Sequence, residues 1–251
     1  MKKFRILLAL CMMAVLVSCN RNDKFTIVGT FDIPATFEFG DTVIERGPIE
    51  GTVYLYDVNE NLIDSASVEN ETFQLAGVCD AKKPYFAFVA CDFGAGMIVI
   101  EPGVIDVVIS QTLTATGTPL NDEIADVNAM LENLSNEMYE ELMPMMEQAG
   151  DDTENREAMM MPVFNRYMEM AGQKIDSIYQ ANTDNLVGVF VANMQTADVQ
   201  TAEEFEEAIA GYSEYVRNSE LLQMRMEYLK MYSGLDMGGD DDYPEFLDAA
   251  E

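Results

Sequence analysis

Histidine is absent from the 251 residues. Its absence removes Ser-His-Asp and Cys-His mechanisms and every imidazole-ligated zinc, copper or haem site. Carboxylate-only chemistry, as in glycosidases, stays open. The 45 acidic residues are spread over every segment, however, and mark no two of them as a catalytic pair. Cysteine is scarce, at Cys11, Cys19, Cys79 and Cys91, with nowhere the two-residue spacing of a redox CxxC motif. Basic side chains are few as well: 14 Lys and Arg against 45 Asp and Glu, a net charge of −31. Such a field repels phosphate backbones and anionic headgroups and argues against nucleic acid as a partner. Divalent cations and basic protein patches remain compatible, though the charge reads first as what keeps the protein soluble. No catalytic set, no cofactor and no metal site is expected.

What is present begins at the N-terminus. Lys2, Lys3 and Arg5 precede an apolar run from Ile6 to Val17, the n-region and h-region of a secretory signal. The run is about 12 residues long, short of the roughly 20 a spanning helix needs. Leu16-Val17-Ser18-Cys19 closes it, and a small residue directly before a cysteine resembles the bacterial lipobox. The resemblance implies that residues 1–18 are a signal peptide, cleaved before Cys19. It also implies lipidation at Cys19, with diacylglycerol on the sulfur and an acylated new N-terminus. One myristoyl chain holds a protein only marginally, at about 0.8 kcal/mol per buried CH₂, so several chains on one residue anchor it permanently. Cleavage removes three basic and no acidic residues, leaving 11 against 45, a mature charge of −34. Membrane attachment then comes from the lipid, because the protein surface is repelled. Residues 19–24 are the lipidated cysteine and a short tether. Asn20 is not the aspartate that retains some lipoproteins at the inner membrane, which points to the outer membrane, facing the periplasm.

From residue 25 to 117 the chain reads as β structure. FTIVGTF (25–31), GTVYLYD (51–57), LIDSASV (62–68), ETFQLAG (71–77), PYFAFVAC (84–91), MIVIE (97–101), IDVVIS (105–110) and LTATG (113–117) alternate or run apolar. They are rich in Val, Ile, Tyr, Phe and Thr. Turn signals separate them at residues 57–61, 92–96 and Pro102-Gly103, the last fitting a type II turn. About eight strands over roughly 95 residues predict an antiparallel β-sandwich. Cys79 and Cys91 end consecutive strands. If those strands form a hairpin, the two cysteines lie at opposite ends of it, beyond the roughly 7 Å between Cα atoms that a disulfide spans. Two buried free thiols are expected.

At Thr118 the period changes to helical. Thr118 suits an N-cap and Pro119 the first helical position. Ile124, Val127, Leu131, Leu134 and Met138 follow at i, i+3, i+4 spacing, and a second stripe runs Met160, Phe164, Tyr167, Ala171, Ile175 and Ile178. Residues 149–154 read as the loop of an antiparallel helical hairpin. LVGVFVANM (186–194) is a short segment that must be buried, Thr201 to Glu204 form a capping box, and Leu222, Met226, Leu229 and Tyr232 mark the last helix. The predicted fold is therefore α+β: a sandwich over 25–117, an all-α helical domain over 118–233, and an acidic, disordered tail over 234–251. A calcium loop at Asp240, Asp241 and Asp242 lacks a glutamate at EF-hand spacing. Met143-Pro144-Met145-Met146 is mirrored by Met159-Met160-Met161-Pro162 across the hairpin. Thioethers suit Cu(I), but a plastic, gap-filling core beside two kinked helices is the preferred reading.

The order FTIVGTF, VYLYD, IDSASVENETFQLAG, PYFAF, IEPG, GTPLND resembles a domain of unknown function found in bacterial envelope lipoproteins. In many of its relatives this domain and a helical segment stand ahead of a thioredoxin-like domain of thiol-disulfide oxidoreductases. The resemblance runs from Phe25 to Asp122 and is topological through the helices to Tyr232. Asn70-Glu71 departs from the usual Asn-Gly. Where relatives begin the thioredoxin-like domain, the chain reads DDDYPEFLDAAE, and without a CxxC their redox activity does not carry over. The expected function is a non-enzymatic, lipid-anchored envelope protein that recognises or positions another envelope protein or ligand. The competing expectation is a truncated or partner-dependent oxidoreductase relative using Cys79 and Cys91.

Overall fold

A computed structural model describes residues 23–39, 42–149 and 153–232, so Cys11, Cys19 and the segment 234–251 lie outside the described residues. Among the described residues ten strands come first: β1 (Lys24–Phe31), β2 (Thr36–Phe39), β3 (Thr42–Glu45), β4 (Thr52–Asp57), β5 (Leu62–Ser67), β6 (Thr72–Val78), β7 (Tyr85–Cys91), β8 (Gly94–Ile100), β9 (Gly103–Ile109) and β10 (Leu113–Thr116). Six helices follow: α1 (Pro119–Ala149), α2 (Thr153–Ala181), α3 (Leu186–Gln195), α4 (Ala202–Ile209), α5 (Glu214–Arg217) and α6 (Glu220–Tyr232). The fold is α+β.

Two four-stranded sheets face each other, ordered β10-β9-β1-β6 and β5-β4-β7-β8. Phe25, Ile27, Phe73, Leu75, Ile105 and Val107 of the first sheet meet Val53, Leu55, Val89, Ile98 and Ile100 of the second. In the first sheet, period-two alternation places these residues inside and turns most of their neighbours to solvent. One pairing departs from the antiparallel expectation, since β1 and β9 run parallel, with Phe25 opposite Gly103 and Phe31 opposite Ile109. The hairpin expected between the two cysteine-ending strands does not form. β6 pairs with β1 in one sheet while β7 pairs with β4 and β8 in the other, so the chain crosses between sheets after Cys79.

The β2–β3 ribbon was not expected. Two strands of four residues are marginal by themselves. Here Arg46 pins the base, its guanidinium donating to the carbonyls of Pro34 (3.2 Å) and Ile33 (3.3 Å) and to Glu71 Oε1 (2.8 Å). The Asn70-Glu71 turn is a tight two-residue loop all the same, with φ of 54° and 60°, and Glu69 N and Thr72 O bond across it at 2.9 Å. Both central residues at positive φ are the signature of a type I′ turn.

β7 and β8 are buried on both faces, which explains their unbroken apolar runs. Ala87, Val89, Ile98 and Ile100 point into the sandwich. Phe86 and Val99, with Phe88 and Met97, point the other way into a second core. That core is completed by Tyr179, Val189, Phe205, Val216, Leu222 and Met226 from the helices. The helices thus pack on the outer face of the second sheet. α3 is the apolar segment expected to be buried, and Asn185 caps it by accepting from the amides of Val187 and Gly188. Thr201 caps α4, its hydroxyl accepting from Glu204 N and donating to Glu204 Oε2 at 2.9 Å.

α1 and α2 form the expected hairpin, and both helices continue through Pro144 and Pro162. The second stripe needs correction at Phe164, which is 42% exposed while its neighbour Val163 is buried in the seam. The methionine groups form a gap-filling core only in part, because Met145, Met159 and Met160 are half-buried while Met143, Met146 and Met161 are exposed.

Candidate functional site

The two thiols are the first candidates. Cys79 and Cys91 are both free, Cys79 buried and Cys91 half-buried. Cys79 follows β6, its amide donating to the carbonyl of Asp23 (3.0 Å), and Cys91 Sγ donates to the Gly94 carbonyl (3.6 Å). Burial pushes the Cys79 thiol above its ordinary value, and the nearby carboxylates of Asp23, Asp80 and Glu101 push the same way. Burial also raises Cys91, Asp92 adds to it, and hydrogen bonds with the backbone of Phe93 and Gly94 offset part of the rise. A reactive cysteine needs a stabilised thiolate. Both sites favour the neutral thiol.

The second candidate is the buried polar cluster where β8, the Pro102-Gly103 turn and α1 meet. Glu101, Thr118 and Asn121 are all buried there. Glu101 Oε1 accepts from the amides of Leu120 (2.8 Å) and Asn121 (3.4 Å), the orphan donors of the first turn of α1. A carboxylate is also favoured at that positive end of the helix dipole. The cap is therefore Glu101, and not the Thr118 hydroxyl, which instead accepts from Asn121 Nδ2 (2.8 Å). Asn121 Oδ1 accepts from Val99 N (2.9 Å) and its Nδ2 donates to Val99 O (2.8 Å). The side chain thus closes the free edge of β8 as a neighbouring strand would. Gly103 (φ 137°) and Gly117 (φ 91°) hold backbone conformations that L-residues rarely adopt, and Gly117 N donates to Asp122 Oδ1 at 2.7 Å. The IEPG and GTPLND motifs meet at this junction, where the hydrogen bonds of Glu101, Thr118 and Asn121 hold β8 to α1. One signal could have pointed to the cluster, a glutamate closing the apolar run 97–101 just before Pro-Gly, whereas Asn121 stands beside Asp122 and Glu123 and carries no such mark.

The third candidate is an open cleft of about 470 Å³ between the second sheet and the C-terminal helices, within the usual range for small-ligand sites. Val58, Tyr85, Phe86 and Leu221 supply apolar walls, and Glu214 and Glu220 the charge. Glu220 Oε1 accepts from Asn59 Nδ2 (2.6 Å), which ties the β4–β5 turn to α6. Ser219 Oγ, also lining the cleft, is buried without a hydrogen-bond partner. Burial raises the Tyr85 and Tyr215 phenols, with Cys79 and Asp57 adding to the first and Asp184 to the second. The cleft can take a small ligand with an apolar body, and its charge disfavours anions. Nothing in the residue spacing announced it, because its walls come from four separate segments.

Arg225 serves structure. It donates to the carbonyls of Asn193 (3.2 Å) and Ala197 (2.8 Å) at the end of α3 and stacks over the Phe205 ring at 5.1 Å. Among the described residues no group of three or more His, Cys, Asp or Glu is placed to hold a metal ion. Among them, too, no helix is long and apolar enough to cross a membrane.

The family model described as Domain of unknown function (DUF4369) matches residues 42–124. The match runs from β3 through the first turns of α1, so the junction of Glu101, Thr118 and Asn121 lies inside it and FTIVGTF lies outside. No curated protein and no solved structure matches the chain.

Proposed function

We propose that the chain is a lipid-anchored protein of the bacterial cell envelope and acts there as a non-enzymatic binding or accessory module. The observation that carries the reading is the run from Lys2 through Ile6–Val17 to Leu16-Val17-Ser18-Cys19, in which a basic start, a short apolar stretch and a small residue before cysteine agree. Cys19 carries the lipid. Asn20 to Lys24 reach at most about 17 Å at roughly 3.4 Å per residue, which keeps the body close to the bilayer. The outer membrane, facing the periplasm, is the favoured address, since Asn20 replaces the retaining aspartate. A binding role is supported by the open cleft and by an exposed apolar face on the helical hairpin. The oxidoreductase alternative is weakened by the upward displacement of both thiols.

Growing expressing cells with an alkyne fatty acid tests the anchor. The wild-type chain should take up label and fractionate with membranes, and Cys19→Ala should do neither. Label on the Cys19→Ala chain would refute the reading.

A further inference from the structure

We infer that the outer half of the α1–α2 hairpin is a docking face for an amphipathic helix of a partner protein, apolar on one side and flanked by Lys or Arg. The inference deepens the binding-module reading proposed above and rests on it.

The face is built from two exposed trios. Tyr139 (60%), Met143 (36%) and Met146 (36%) lie on α1, and Met161 (44%), Phe164 (42%) and Met168 (55%) on α2. Their spacings, i, i+4, i+7 and i, i+3, i+7, put each trio on one stripe of its helix. At about 100° per residue, each stripe lies roughly 100–110° round from its buried seam, in the direction of increasing residue number. The seams are Leu134, Met138 and Leu142 on α1, and Met160, Val163 and Tyr167 on α2. In antiparallel helices equal rotations of the same sense lead to the same broad face, so both stripes share it.

Their heights agree as well. Glu141 accepts from Arg166 Nη2 and from the Tyr167 hydroxyl, which sets the register of the hairpin. In that register Tyr139 stands level with Met168, Met143 with Phe164 and Met146 with Met161. The three rungs extend over about 10 Å, seven residues at 1.5 Å each. That is the length over which one helix presents anchors at i, i+3 or i+4, and i+7. Methionine suits such a surface, being able to repack around different side chains.

Charge selects the occupant. Among the described residues of the two helices, no charged one projects between the rungs. Glu132 lies at the base, Glu157 near the tip, and Glu140 and Glu147 along the outer edge of α1, all exposed. Arg156 and Arg166 point to the seam or the opposite face. An apolar strip edged by glutamates fits an apolar strip edged by cations. A second copy of the chain would set the same glutamates and a net charge of −31 against themselves. The strip, about 10 by 20 Å, also falls well short of the roughly 800 Å² per partner of a stable dimer. An anionic membrane and the acidic segment 234–251 meet the same repulsion.

The test uses the full-length chain with neutral phosphatidylcholine vesicles. The probe is a benzophenone-labelled 18-residue Leu/Lys peptide with leucines at i, i+3, i+4 and i+7, compared with a scrambled peptide of the same composition. Cross-links located by mass spectrometry should fall on residues 139–146 and 161–168 and saturate at micromolar peptide. The scrambled peptide should need at least tenfold more. Met143→Ser/Phe164→Ser, two exposed positions, should weaken cross-linking at least tenfold, while Val78→Ser on the sandwich surface should not change it. Unchanged melting of both variants by circular dichroism shows that folding is intact. Cross-links spread evenly over the acidic surface, or equal with the scrambled peptide, would overturn the inference. So would hairpin-to-hairpin cross-links between copies, or burial of the face in the vesicles without peptide. The assay reads the face whether or not Cys19 is lipidated, and fatty-acid labelling reads the anchor alone, so either can fail without the other.

Discussion

Replacing Asn121 by alanine should destabilise the protein more than almost any other single polar substitution. The side chain is 2% exposed and makes three hydrogen bonds, two to the backbone of Val99 at 2.9 and 2.8 Å and one to Thr118 at 2.8 Å. Val99 is fully buried between the second sheet and the helices, so alanine leaves its N–H and C=O without partners. Each orphaned buried group costs about 1–3 kcal/mol, which gives a loss of about 2–6 kcal/mol. Domains of ordinary stability have only about 5–15 kcal/mol in total. Asn121→Asp separates geometry from bonding. It keeps the acceptor for Val99 N but sets a carboxylate against Val99 O and close to Glu101, so it should cost at least as much at pH 7. Its folded-state pKa would be raised above the unfolded value, so that cost should shrink as the pH falls through the raised value and the protonated carboxyl donates to Val99 O. Urea unfolding followed by circular dichroism measures the loss, and hydrogen exchange of the Val99 amide localises it. A loss under about 1 kcal/mol with unchanged Val99 protection would refute the argument.

Glu71 sits at φ 60°, where an L-residue costs about 1–2 kcal/mol, and it pairs with Arg46 at 2.8 Å. Glu71→Gly should therefore unfold at higher urea than Glu71→Ala by about 1 kcal/mol, both having lost the ion pair; equal stability would show that the turn is not strained. Because burial raises both thiols, iodoacetamide should label Cys79 and Cys91 more slowly than free cysteine at pH 7. The rate should climb as the pH passes the raised values, and a plateau below pH 8 would contradict the assignment. Melting temperature should rise with ionic strength as screening shortens the Debye length from about 30 Å at 0.01 M to about 8 Å at physiological salt. Sodium and calcium at matched ionic strength should act alike, and a saturable, calcium-specific rise at micromolar concentration would reveal a binding site.

Local physics was legible along the chain. Alternation with period two, and unbroken apolar runs for β7 and β8, located the eight strands of the two facing sheets, and the shift to helical spacing after Thr118 placed the start of α1 at Pro119. These follow from which face of a strand or helix must leave water, a property of residues a few positions apart. β2 and β3 escaped because four-residue strands carry little such signal and depend on Arg46, held by groups distant in sequence. Distance in the chain also hid the parallel β1–β9 pairing and the split of β6 and β7 between sheets, since edge hydrogen bonds are alike in every strand and only the packing of both cores selects among them. The helix cap was misplaced for the same reason: Thr118 is a good local acceptor, yet Glu101 occupies the site from across a turn. Phe164 and the methionines show the opposite limit. Helical spacing names an apolar stripe but not what covers it, and α2 carries two such stripes, of which tertiary packing buried the one through Val163 and left Met161, Phe164 and Met168 in solvent.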